Sequence, residues 1–125
     1  MENLIIKQTQ HTPEIELNTN GTLTFKGKSY SENTFDFYEP IENWINEYLN
    51  TYSNNIEVTF DLNYLNSSSI KFYFDMFDKF EEYIKKDKKI TIKWLYDKDD
   101  DMTLEAGEDF QEDYNQLNIQ LIEKD

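Results

Sequence analysis

Three consecutive serines, Ser67 to Ser69, occupy the point where an alternating strand is predicted to give way to an amphipathic helix. A hydroxyl at a helix N-terminus lies among backbone N–H groups that lack intrahelical partners, at the positive end of the helix dipole. A phosphate group added there would be stabilised, so these residue types at this position favour reversible phosphorylation. The run makes Ser67 a candidate switch.

The same run is also an ordinary helix start. Asn66, Ser67 and Ser68 are typical N-cap residues, because their side-chain oxygens accept hydrogen bonds from the first backbone N–H groups of a helix. One residue is enough for a cap, so at least one hydroxyl of the run is left over. It lies in an exposed strand-to-helix loop, where functional residues concentrate on α/β sheets. On the residues alone, capping is the commoner role of such a loop, and regulation through a spare hydroxyl stays open.

Residues suited to enzyme chemistry are scarce elsewhere in the chain. His11 is the single histidine, and cysteine is absent. A nucleophilic serine needs a positioned base and a group that orients the base, and no predicted neighbour makes His11 a base for Ser67. A surface or packing role is the stronger interpretation of His11, and zinc sites of the sulfur type are excluded.

An acidic run offers one possible metal site. Asp97, Asp99, Asp101 and Glu108 occupy positions 1, 3, 5 and 12 of a possible calcium-binding loop. The sixth position is Met102, where such a loop requires glycine, and a strand precedes it where a helix is required. A solvated acidic turn at a helix N-terminus is the better interpretation. We predict no metal and no cofactor.

The charge balance indicates what kind of partner the protein contacts. The chain of 125 residues has 26 acidic and 12 basic residues, a net charge of −14, and every basic residue is a lysine. Such a charge repels nucleic acid and anionic lipid, so a basic protein surface is the favoured partner. The absence of arginine removes the usual bidentate clamp for phosphate substrates. Since no signal peptide or membrane-spanning stretch is evident, we predict a cytoplasmic protein.

Hydrophobic periodicity predicts one α/β domain over residues 1–125. Alternation of apolar and polar residues predicts an antiparallel hairpin whose turn is Asn20-Gly21. It also predicts three further strands, at residues 56–62, 90–96 and 117–121. Strands that alternate with helices imply right-handed crossovers. The predicted architecture is therefore a mixed sheet, with the N-terminal antiparallel hairpin followed by largely parallel strands.

Apolar residues at helical spacing predict three helices between these strands. The first is predicted to start at a capping box formed by Asp36 and Glu39, with Pro40 in its first turn, and to end at about Thr51. The other two are marked by apolar sets at Ile70, Phe74, Phe77, Phe80 and Ile84, and at Met102, Ala106, Phe110 and Tyr114.

Several separated motifs carry a resemblance to a known family. They lie at residues 9–13, 27–33, 62–71 and 94–97, and they continue along the acidic helix at Glu105, Glu108, Phe110, Glu112 and Asp113. With these motifs in this order, the chain resembles the SiaC family of bacterial regulatory phosphoproteins essentially from end to end. The resemblance implies a compact domain related to the STAS fold of anti-sigma factor antagonists, with no catalysis of its own.

The resemblance also implies which residues form the site. In STAS antagonists the regulatory hydroxyl lies at the start of the helix after a central strand, and residues 66–69 are similar to that element. Ser67 aligns with the phosphoacceptor threonine of the SiaC family, and Ser69 replaces the glycine of the STAS element. We therefore expect Ser67 to be the phosphoacceptor, with four neighbours on a docking surface, Tyr64, Asn66, Ser68 and Lys71. Lys71 is the expected counter-ion of the phosphate.

The implied function is that of an adaptor in a partner switch. A dedicated kinase would phosphorylate the hydroxyl, a phosphatase would remove the phosphate, and the unmodified form would bind and activate a diguanylate cyclase in cyclic di-GMP signalling and biofilm control. The physical cause would be about 1.5 to 2 added negative charges in a desolvated interface. The alternative is a STAS-type antagonist that binds an anti-sigma kinase. A hydrolase or a calcium-binding domain is the alternative from another functional class.

Overall fold

Six strands and three helices lie within residues 1–30 and 32–124, the part of the chain that the computed structural model describes. Ser31, which belongs to the motif at residues 27–33, lies outside the described residues, as does Asp125. In chain order the elements are β1 (Leu4–Ile6), β2 (Glu14–Leu17), β3 (Thr22–Ser29), α1 (Thr34–Thr51), β4 (Ile56–Leu65), α2 (Ser67–Ile84), β5 (Ile90–Tyr96), α3 (Asp101–Asp113) and β6 (Asn118–Glu123). None of these three helices is long and apolar enough to cross a membrane.

The strands form one sheet in which their spatial order equals their order along the chain. β1, β2 and β3 pair antiparallel, whereas β3, β4, β5 and β6 pair parallel. Each helix therefore connects two neighbouring parallel strands, and right-handed crossovers place all three helices on one face of the sheet. The predicted mixed α/β architecture is confirmed.

The alternation of the strands separates the helix-covered face of the sheet from the opposite face. Leu23 and Phe25 of β3, Phe60 of β4 and Trp94 of β5 point under the helices and are almost fully buried. The residues between them are exposed or half-buried on the opposite face. The core is thus a single layer between the sheet and the three helices, as period-two alternation predicts.

Aromatic rings fill the centre of this layer. The ring of Phe60 lies 4.9 Å from that of Phe25, 5.4 Å from Tyr73, 5.5 Å from Phe77 and 5.3 Å from Trp94, measured between ring centroids. Three of these four contacts are edge-to-face or tilted, an arrangement that aromatic pairs favour. Phe60 therefore connects two neighbouring strands and α2 through ring contacts.

The first helix starts earlier than predicted. The side chain of Asn33, and not that of Asp36, accepts the capping hydrogen bond, from the backbone nitrogen of Asp36 at 3.4 Å. The amide of Asn33 also donates to the Asp36 carboxylate at 2.6 Å. This pair places Asp36 inside the first turn, so the predicted capping box of Asp36 and Glu39 is wrong. Pro40 lies in the helix interior, where its nitrogen cannot donate to the preceding turn.

The third helix packs on the core through Ala106, Phe110 and its C-cap residue Tyr114, as its spacing predicts, and Met102 is the exception. Met102 is 74% exposed, whereas Thr103, Gly107 and Phe110 are buried. A Cβ atom on Gly107 would lie 2.5 Å from Cδ1 of Trp94, so glycine is what allows α3 to approach the sheet this closely. The indole nitrogen of Trp94 donates to the Thr103 carbonyl at 2.8 Å and fixes this contact.

The N-terminal hairpin is as predicted, and one strand is added to it. The turn between β2 and β3 contains Gly21 at φ +100°, in the left-handed region that favours glycine. β1 pairs with β2 at the sheet edge, with Ile5 opposite Glu16 and 65% exposed. The sequence patterns do not predict β1, because three residues are too few to show alternation.

Candidate functional site

The first turns of the three helices meet at the edge of the sheet where β3, β4 and β5 end, which we call the carboxyl edge. Ligands and partners of α/β sheets commonly bind at this edge. Three large apolar side chains are exposed here: Phe35 of α1 at 72%, Tyr64 of β4 at 49% and Met102 of α3 at 74%. Exposed apolar residues of this size, placed around the start of α2, are typical of an interaction surface.

Asn66 is the residue that caps α2. Its backbone is extended, with φ −83° and ψ 171°, and its side-chain oxygen accepts from the Ser69 nitrogen at 2.9 Å. The Asn66 nitrogen donates to the Ser29 carbonyl at 3.0 Å, which ties the start of α2 to the end of β3. Since Asn66 provides the cap, all three serine hydroxyls are left for other roles.

The three serines differ sharply in exposure. Ser67 and Ser68 are exposed in the first turn of α2, whereas Ser69 is fully buried. The Ser69 hydroxyl donates to the Ser29 carbonyl at 3.0 Å and lies 2.6 Å from the Ser29 hydroxyl. A kinase can therefore reach the hydroxyls of Ser67 and Ser68 without unfolding the helix, but not that of Ser69.

Buried hydroxyls continue from Ser69 to the neighbouring helix. Ser29 Oγ lies 2.6 Å from the Tyr38 hydroxyl, which lies 2.8 Å from that of Tyr73. Ser69 uses its one proton on the Ser29 carbonyl, so in the contact between the two serine hydroxyls Ser29 must be the donor. The Tyr38 hydroxyl must then donate to the Ser29 hydroxyl, and the Tyr73 hydroxyl must donate to that of Tyr38. Burial raises the pKa of both tyrosines, which keeps them protonated. This chain of bonds joins β3, α1 and α2 beneath the candidate switch.

We predict that Ser69→Ala destabilises the protein by about 1 to 2 kcal/mol. The substitution removes two buried hydrogen bonds, but Ser29 retains Tyr38 as a partner, so the cost stays below that of an orphaned polar group. Ser67→Ala, at an exposed position, should change the free energy of unfolding by less than about 0.5 kcal/mol. Urea denaturation of both variants tests this. Equal stability of the two would show that the Ser69 bonds contribute nothing.

Tyr64 is exposed at the carboxyl edge because β4 contains a bulge. The register of β3 and β4 shifts between Gly27 and Lys28, so that Leu62 pairs with Gly27 while Tyr64 pairs with Lys28. Simple alternation would place Tyr64 under the helices with Leu62. The bulge instead directs it to the face that Lys28 occupies, a common effect of bulges near functional sites.

Tyr64 also ends a short series of aromatic contacts. Its ring lies 5.3 Å from that of Tyr30, and the Tyr30 ring lies 4.9 Å from that of His11, both edge to face. The Tyr30 nitrogen donates to the His11 carbonyl at 3.0 Å. Three motifs that are far apart in the sequence thus meet at the carboxyl edge. His11 has a ring-packing contact here.

Lys71 lies four residues after Ser67, one turn along the same face of α2, and is exposed. Together with Ser68 it lines a groove of about 540 Å³ between the N-terminal halves of α1 and α2. The structure therefore brings all the predicted site residues to one edge. Tyr64 is on the β4 side of Ser67, Asn66 lies beneath it, and Ser68 and Lys71 are on the α1 side.

The acidic run forms a turn and a helix cap. The Asp100 carboxylate accepts from the Thr103 nitrogen at 3.1 Å and from its hydroxyl at 2.6 Å. Asp97 lies 3.4 Å from the Lys124 ammonium group. Within residues 1–30 and 32–124, no three acidic or histidine side chains converge in a way that could hold a metal ion.

Comparison with known proteins decides the family. The family model described as "SiaC family regulatory phosphoprotein" matches residues 6–124. The chain belongs to the SiaC family. An uncharacterised protein of Pseudomonas aeruginosa strain UCBPP-PA14 is 33% identical to this SiaC-family chain over 114 residues, which are 90% of each protein.

Solved structures of the SiaC family have the same fold. The crystal structure of apo-SiaC from Pseudomonas aeruginosa superposes with a TM-score of 0.91 at 31% identity, over 98% of this chain and 99% of that chain. SiaC in the crystal structure of the diguanylate cyclase SiaD with its activator SiaC, from the same organism, matches with a TM-score of 0.91 at 30% identity, over 97% and 99% of the two chains. The predicted fold and family are both confirmed.

Sequence reasoning missed several residues of this SiaC-family surface. Phe35 lies three residues before the buried Tyr38, so helical spacing alone places it on the core side of α1. In the structure Phe35 is 72% exposed in the first turn of α1, and Met102 is 74% exposed in the first turn of α3. The acidic residues that face Lys71 across the groove were also not identified, because their proximity depends on how α1 packs against α2.

Proposed function

We propose that this SiaC-family protein is an adaptor, without catalysis of its own, whose binding to a protein partner is switched by phosphorylation of Ser67. The observation that carries the proposal is the division of roles at the start of α2. Asn66 makes the cap, Ser69 bonds within the core, and Ser67 presents an exposed hydroxyl among exposed apolar side chains.

The proposed partner of the unmodified form is a diguanylate cyclase. SiaC from Pseudomonas aeruginosa is the activator of the diguanylate cyclase SiaD, and this chain shares its fold over nearly its whole length. Phe35, Tyr64 and Met102 provide apolar contact area around Ser67, and a partner that covers them would also cover the Ser67 hydroxyl. Because the kinase and cyclase consume nucleoside triphosphates, we place this switch in the cytoplasm.

Phosphorylation would oppose such an interface through hydration. A phosphate on Ser67 carries about 1.5 to 2 negative charges, and Lys71, one turn away, is the local cation that would pair with it. A partner that covers this group must remove water from a charge that Lys71 neutralises only in part. Burial of an incompletely paired charge costs several kcal/mol, enough to release the partner.

The test of this function is a cyclase assay. The diguanylate cyclase from the same genome is supplied with GTP, and cyclic di-GMP is measured with and without the purified, unmodified protein. We expect the unmodified protein to increase the rate and its Ser67-phosphorylated form to have no effect. A rate that is independent of both forms would contradict the proposed function.

A further inference from the structure

The groove between the N-terminal halves of α1 and α2 is acidic. Carboxylates line both of its sides: Asp75 on α2, and on the α1 side Glu39, Glu42 and, just before the helix, Glu32. Lys71 is the one lysine in the lining. Charges concentrated in a concave surface raise the local potential more than the same charges on a convex one. The groove is therefore a place of strong negative potential beside the candidate switch.

Most of these carboxylates lack a cation in the folded chain. The spacing of α2 predicts i,i+4 ion pairs that join Asp75 to Lys71 and Lys79, but Lys79 instead lies 3.2 Å from Glu42 of α1. Within the described residues, Glu32, Glu39 and Asp75 take part in no ion pair. These three charges remain available to a positively charged ligand.

The floor of the groove is apolar and held in place. Phe35, which is 72% exposed, forms the rim, and Tyr38 and Phe72 stack below it with ring centroids 4.1 Å apart. The Tyr38 hydroxyl is fixed by Ser29 and Tyr73. The groove is about 10 Å long, measured along α2 from Ser68 to Asp75. It thus combines a preformed aromatic surface with unpaired carboxylates.

We propose that this groove binds a segment of the partner protein in which lysine or arginine side chains flank an apolar side chain. The cations would pair with Glu32, Glu39 and Asp75, and the apolar group would pack on Phe35. Charge complementarity selects this occupant, since an acidic groove in a chain of net charge −14 disfavours nucleic acid and anionic lipid. The inference rests on the proposed function, because it assumes that the partner docks at the carboxyl edge.

Two variants with matched controls test the groove. Glu39→Lys reverses an exposed charge in the groove, and Glu47→Lys makes the same change on the same helix about 12 Å further along. Phe35→Ala removes the exposed ring at the rim, and Ile5→Ala removes a 65% exposed apolar side chain in β1. Binding of each purified variant to the diguanylate cyclase from the same genome is measured by isothermal titration calorimetry at two salt concentrations.

We expect Glu39→Lys and Phe35→Ala each to weaken binding at least about tenfold, and the two controls to bind like the wild type. Glu39→Lys should also reduce the salt dependence of the dissociation constant, whereas Phe35→Ala should not. If wild-type protein binds and both groove variants bind equally well, the groove proposal is wrong and the adaptor function stands. If wild-type protein does not bind the cyclase, the proposed function fails and this inference fails with it.

Discussion

Replacing Ser67 with alanine is expected to abolish phosphorylation by the cognate kinase. Ser69 cannot substitute, because its hydroxyl is fully buried and bonded to Ser29. Ser68 is exposed, but it lines the groove that holds the carboxylates of Glu32 and Glu39. A phosphate there would face like charges, whereas Ser67 does not line this groove, and Lys71 is within one turn of either serine. Intact mass after incubation with kinase and ATP measures the incorporated phosphate.

Two companion variants make this result specific. Ser68→Ala should accept phosphate at wild-type stoichiometry, because its loss affects neither the Asn66 cap nor the Ser67 hydroxyl. Ser67→Thr should also be phosphorylated, since it keeps a hydroxyl at the same exposed position. If Ser67→Ala takes up as much phosphate as the wild type, and peptide mapping finds it on Ser68, the assignment of the acceptor is wrong.

Replacing Phe60 with alanine is expected to cost about 3 to 5 kcal/mol of stability. Phe60 is fully buried and touches the rings of Phe25, Tyr73, Phe77 and Trp94. Alanine would leave a cavity between β3, β5 and α2 that rigid rings cannot close, so most of the lost contact energy is not recovered. For a domain of this size that loss is a large fraction of the free energy of unfolding.

Phe35→Ala is the matched control, because it removes the same ring at a position that is 72% exposed. We expect its free energy of unfolding to remain within about 0.5 kcal/mol of the wild-type value. Denaturant unfolding followed by circular dichroism compares the two variants. If Phe60→Ala is no less stable than Phe35→Ala, the aromatic layer does not hold the sheet to α2 as described.

The order and type of most elements follow from local pattern. Alternation predicts β2, β3, β4, β5 and β6, and helical spacing predicts three intervening helices, because each strand and each helix buries only one side. The position of Ser67 at a helix start follows from the spacing of apolar residues, which changes after Leu62 from the alternation of a strand to the spacing of a helix. The sequence does not single out the capping side chain, since Asn66, Ser67 and Ser68 are all competent and only packing selects Asn66.

Features that depend on contacts between elements do not follow from pattern. Tyr64 reaches the surface through a bulge that no local signal marks. The buried hydroxyl of Ser69 in α2 depends on the Ser29 carbonyl of β3, which accepts its proton. Phe35 and Met102 have core-like spacing, yet both are exposed in the first turns of their helices. Phe35 and Met102, two of the exposed apolar residues of the proposed docking surface, are therefore residues that the sequence pattern does not identify.

The acidic groove constrains how the phosphate acts. If the partner segment is basic, added negative charge at Ser67 attracts it over long range, so repulsion alone cannot cause release. The cost of dehydrating the phosphate must then dominate, and this short-range cost is little screened by salt. We expect the ratio of the phosphorylated to the unmodified dissociation constant to persist at high salt, while both constants increase.

The most direct test of the switch compares the affinity of two forms of one protein for the diguanylate cyclase from the same genome. Unmodified protein and protein stoichiometrically phosphorylated on Ser67 are titrated into the cyclase by calorimetry under identical conditions. We predict that phosphorylation weakens binding at least about a hundredfold, which corresponds to roughly 2.7 kcal/mol. Equal affinity of the two forms would contradict the assignment of Ser67 as the residue that controls partner binding.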